Sequence, residues 1–152
     1  MYEFVLTLHS WLRWAAIPAG IVATIAAFTV RPGYTESTRA DRWGLILTIV
    51  LDLQLVLGLL LYVALSPTTA AVFEDFGAAM GDPVARFWAV EHIALMLAAV
   101  VVAHVGRILG RKARTPNSKR IRLLVCFALA TVVMIAATPW PGMPAGRPLF
   151  RL

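Results

Sequence analysis

Residues 89–107 read AVEHIALMLAAVVVAHVGR. A helix of about 20 apolar residues is enough to cross a bilayer, and this run has that character. Yet it carries Glu91, His92, His104 and Arg107. Ionisable side chains within a span cost at least ~2.5 kcal/mol each on insertion scales, so they mark pairing or function. The chain has three histidines, and two of them sit in this stretch. What they can do depends on the third, His9.

The rest of the chain has the same character. Of 152 residues, 60% are hydrophobic and only 14% charged, and the mean hydropathy is +0.78. Soluble domains carry roughly a quarter charged residues, so this chain has too little polar surface to cover a globule. Four apolar runs, at 4–30, 43–65, 87–105 and 123–138, predict four spans in one domain over residues 1–152. The first run lacks a basic start and contains His9 and Arg13, so it is expected to be retained rather than cleaved as a signal peptide. A single cysteine, Cys126, excludes an internal disulfide, and without a C-x-x-C-H motif conventional covalent haem attachment is excluded too.

The formal charge of +6 reflects orientation rather than nucleic-acid binding. Arg31, Arg39 and Arg42 crowd the first connection; Arg107, Arg111, Lys112, Arg114, Lys119, Arg120 and Arg122 crowd the third. Basic loops stay in the cytoplasm. The expected architecture is therefore all-α: an antiparallel four-helix bundle in a bacterial inner membrane, with both termini on the outer, periplasmic side.

This topology fixes depth at ~1.5 Å per helical residue. His9 and His92 each fall about five residues into an inward-running helix, and so lie at one level. His104 is ~18 Å deeper and is expected to be too far to share a ligand with them. Two imidazoles level on separate helices can ligate one haem iron from opposite faces. Inward of His9 on the same face come Arg13, Ala16 and Gly20; inward of His92 come Met96, Ala99 and Ala103. The small side chains would leave room for a flat ring, or would let the helices pack closely.

Arg13 has two possible partners, a haem propionate or the Asp52 carboxylate on the second span. Gln54 stands on a different face from Asp52 and is placed to bridge helices. Glu91 is about 100° round the helix from His92, so it is expected to reach a neighbouring helix or to handle a proton near a quinone. His104 and Arg107 share a face near the cytoplasmic edge, where they would anchor among headgroups or form a second site.

The segments LHSWLRW (8–14), LDLQLVLGLLLY (51–62), EHIALMLAAVVVAHVGR (91–107) and PWPG…GRPLFR (139–151) together resemble small four-helix bacterial membrane proteins described as cytochrome b-like. The resemblance covers nearly the whole chain. It implies a non-covalent haem b with His9 and His92 as ligands to iron, and His104 as a further candidate. The chain departs from two-haem b cytochromes in giving His104 no partner histidine at its own depth. The expected activity is electron carriage rather than stand-alone catalysis. Its partners would be lipid, a quinone or redox protein, and further copies of the chain. The competing classes are a non-redox structural or assembly subunit and a carrier of metal or haem.

Overall fold

The computed structural model describes residues 1–30 and 38–150. Arg31 and Arg151, two of the basic residues bearing on orientation, lie outside the described residues. Every element among the described residues is helical. α1 spans Tyr2–Phe28 and α2 spans Thr38–Leu60, prolonged by a π-helical turn at Leu61–Leu65. Next come three short helices, α3 (Pro67–Glu74), α4 (Phe76–Gly81) and α5 (Pro83–Arg86). A second π-helical turn, Phe87–Glu91, leads into α6 (His92–Arg111), and α7 covers Pro116–Ala136.

Among the described residues, three helical stretches are long and apolar enough to cross a membrane: Tyr2–Phe28, Arg39–Leu65 and Pro83–Arg111. α7 falls short of that mark because its first two turns carry Lys119, Arg120 and Arg122, which leaves a shorter apolar part. The long connection expected over residues 66–86 is instead mostly helical. Its starts are capped. Ser66 accepts a hydrogen bond from Thr69 N, Asp75 from Ala78 N and Asp82 from Ala85 N. Serine or aspartate at the N-cap satisfies an otherwise unpaired backbone donor, and proline is favoured at the position after it. Ser66-Pro67 and Asp82-Pro83 therefore start helices here rather than ending spans. Thr115-Pro116 does the same for α7, shortening the third connection to residues 112–115.

α1 packs against α2 and α7, and α6 packs against α7 and α2, closing a ring. Neighbours run antiparallel. Along α1, Trp14 meets Trp140, Gly20 meets Thr131 and Phe28 meets Arg120. Along α2, Thr48 meets Arg107, Asp52 meets His104, and Tyr62 reaches Ala89. The core at the Phe28 end is made by small residues, with Ala23, Ala26 and Ala27 buried on α1. Phe127 is fully buried where α2 and α6 offer glycines. A methyl on Gly44 would lie 2.6 Å from Phe127 Cζ, and one on Gly106 2.5 Å from Cys126 Cβ. Such close approach is how membrane helices gain contact without a hydrophobic driving force. It closes the helix contacts there, and a cavity lies towards the other end.

Candidate functional site

That space is a partly open cavity of about 150 Å³ between α1, α2 and α6, walled mainly by apolar side chains. His9 enters it from α1 and His92 from the first residue of α6, with ring centroids 6.5 Å apart and planes at 74°. The π-helical turn Phe87–Glu91 precedes His92 directly. A π turn inserts an extra residue and so re-aims the side chains beyond it; such turns are frequent at functional sites. The other π turn, Leu61–Leu65, brings Tyr62 to the rim, where its hydroxyl donates to Ala89 O at 2.6 Å.

The His92 ring is held from behind. Its Nδ1 lies 2.8 Å from Ala137 O; a carbonyl can only accept, so Nδ1 carries the proton and Nε2 keeps its lone pair. Backbone carbonyls orient metal-ligating histidines in this way. His9 is seated against α2, where Gln54 Nε2 donates to His9 O at 3.0 Å and stands 3.5 Å from His9 Nε2. Gly58 gives the imidazole its place: a Cβ there would come within 3.1 Å of His9 Cε1.

Three buried polar side-chain atoms find no partner among the described residues: His9 Nδ1, Arg13 Nε and Gln54 Oε1. All three belong to residues lining this cavity. Natural proteins seldom leave such atoms unsatisfied, so their clustering points to a polar or metal-bearing occupant. Arg13 is only 9% exposed. Its Nη2 donates to Leu149 O at 2.8 Å, and among the described residues no carboxylate neutralises it. Arg147, from the C-terminal tail, lines the same cavity and stacks over Trp88 at 5.0 Å. The tail is fastened by Trp14 Nε1, which also donates to Leu149 O, and by Phe150 stacked on Trp14.

The donor set suits a haem. An imidazole nitrogen binds a metal at about 2.0 Å, which puts two rings sharing one ion from opposite sides roughly 6.3 Å apart between centroids. A bare ion wants three or four protein ligands, and among the described residues no group of three His, Cys, Asp or Glu exists. A macrocycle would bring the remaining donors itself. The enclosed volume of about 150 Å³ is that of a benzene-sized group, so the cavity as it stands would take only part of a macrocycle.

Of the residues expected beside the histidines, Arg13, Ala16 and Met96 line the cavity, as does Gln54. Gly20 and Ala99 do not. Gly20 abuts Thr131, whose Oγ1 would be 2.6 Å from an added Cβ, and Ala99 and Ala103 are core residues with no exposure. Their smallness serves helix packing rather than room for a ring. Asp52 is not the partner of Arg13: its Oδ1 lies 2.8 Å from His104 Nε2. His104 does not line the cavity. Arg107 donates to Thr48 Oγ1 at 2.8 Å across the α2–α6 contact. Glu91 pairs at 2.8 Å with Arg86, the last residue of α5, because the π turn between them sets residues five apart on one face. Gly58, Tyr62 and Arg147 were not legible as site residues. No protein-family profile, curated protein or solved structure matches the chain.

Proposed function

We propose that this chain is a cytochrome b-like electron carrier of the bacterial inner membrane, holding one haem b between His9 and His92. The observation that carries this reading is the approach of two imidazoles from separate helices, 6.5 Å apart, inside the cavity where the unpartnered polar atoms gather. In this reading the four long helices form an antiparallel transmembrane bundle with both termini outside. The basic residues of α7 lie in the cytoplasmic headgroup layer, and its apolar remainder completes the fourth span.

Haem b in such a site would supply one-electron transfer, with a potential tuned by the residues that hold it and by burial. The protein's part is positioning. Ala137 O fixes the tautomer of His92, and Gln54 and Gly58 fix the seat of His9. Arg13 and Arg147 offer guanidinium donors to the carboxylates that a haem carries, which accounts for an arginine with no acidic partner among the described residues in an apolar wall. The apolar walls limit water at the iron. Electrons would pass between a quinol in the membrane and an acceptor on the outer side, alone or within a larger respiratory assembly.

The test is an absorption spectrum of the purified chain in detergent, oxidised and then dithionite-reduced. A red preparation with a sharp reduced α-band is expected. A colourless preparation, still so after haem is added, would leave a structural subunit as the better description.

A further inference from the structure

Asp52 is the middle residue of the 27 in Arg39–Leu65, and so falls near the centre of a span. Its pairing with His104 is not interior. The two side chains are 50% and 41% exposed, on a face where their neighbours Ile49, Leu53 and Val56 of α2 and Val101 and Val105 of α6 are exposed apolar residues. Ionisable residues within a membrane almost always turn to protein or to water. Hydrocarbon can satisfy neither a donor nor an acceptor.

We propose that the α2–α6 face is the contact with a second copy of this chain across a two-fold axis. What the pair leaves over points to the occupant. In such a contact, where lipid disfavours net charge, the pair carries none of its own, as imidazolium with carboxylate or as imidazole with carboxylic acid, while the neighbouring Arg107 bonds Thr48. In both forms His104 Nε2 and Asp52 Oδ1 share one proton, His104 Nδ1–H remains a donor and Asp52 Oδ2 remains an acceptor. One spare donor and one spare acceptor, side by side, are self-complementary. A two-fold axis places residue i on j and j on i. His104 then donates to Asp52 of the partner subunit, and the partner's His104 returns the bond. The flanking valines and leucines supply apolar contact around this centre.

Cross-linking in intact membranes tests the proposal and needs no cofactor, so it stands or falls apart from the absorption spectrum. In full-length chain carrying Cys126→Ala, single cysteines are introduced as Val56→Cys or Val101→Cys beside the pair. Val132→Cys, on the exposed side of α7, is the control. With a short bismaleimide, covalent dimer at positions 56 and 101 is expected at five-fold or more over position 132. Adding Asp52→Leu with His104→Leu, a change that eases insertion, should lower that dimer at least five-fold. Asp52→Asn, which keeps a donor and an acceptor, should retain more than half. Equal cross-linking at all three positions would mean that lipid or a small ligand covers the pair, and would overturn the proposal. Dimer indifferent to removing the pair overturns it as well.

Discussion

At one end of the molecule His9, Arg13 and Gln54 converge on a cavity and leave three buried polar atoms unpartnered. Towards the other, Asp52 with His104 and Thr48 with Arg107 tie α2 to α6 at 2.8 Å each. Every side chain of the second cluster has a partner across the helix contact, whereas in the first, three buried atoms have none among the described residues. In a bilayer an unpartnered buried donor or acceptor has no water to turn to. The cluster with unpartnered buried atoms is the one that the proposed haem would complete, and the paired one ties helix to helix. Helix packing draws the line between them. Glycine and alanine close the Phe28 end of the ring, while the π turns and the short helices α3–α5 hold the His9 end open.

The contrast can be broken in three ways. The largest effect belongs to the imidazoles. His9→Ala or His92→Ala should each cut haem bound per chain by more than ten-fold, whereas His104→Ala should leave the reduced α-band in place. Equal loss in all three variants would erase the distinction between the clusters. Next comes Arg13→Met. If Arg13 holds a haem carboxylate, haem affinity should fall by about ten-fold, which corresponds to ~1.4 kcal/mol. The haem-free chain, relieved of an unneutralised charge, should unfold no more readily. A variant that binds haem normally but unfolds early would make Arg13 a structural strut to the tail at Leu149. The smallest effect is at the paired cluster. A double-mutant cycle on Asp52 and His104, read by unfolding in bicelles, should give a coupling of about 0.6–1.7 kcal/mol, the range for interhelical hydrogen bonds in membranes. The same cycle on His9 and Gln54 in haem-free chain should give less, since their side chains stand 3.5 Å apart.

Much of this was legible in order along the chain. The apolar runs located the long helices, and counting residues from each span's start put His9 and His92 at one level because helical rise is constant. The short helices could have been read from Ser66-Pro67 and Asp82-Pro83, signals that mark a helix start as readily as a loop. Other features had no sequence signal. Nothing in the run around Gly58 says that an imidazole from another helix will sit on it. Arg147 comes from a tail whose path depends on Trp14 and Phe150 meeting across more than a hundred residues.

Composition and periodicity by themselves determined that this chain is helical, apolar enough for a bilayer, and furnished with ionisable groups where lipid tolerates them least. They did so because hydropathy and helical rise are properties of a segment alone. Which groups face each other was decided only by the tertiary structure. Successive residues turn by about 100°, so a modest rotation of α2 is enough to turn Asp52 from Arg13 to His104. That rotation is set by where Gly44 and Gly106 admit Phe127, a contact among three helices that no one of them encodes.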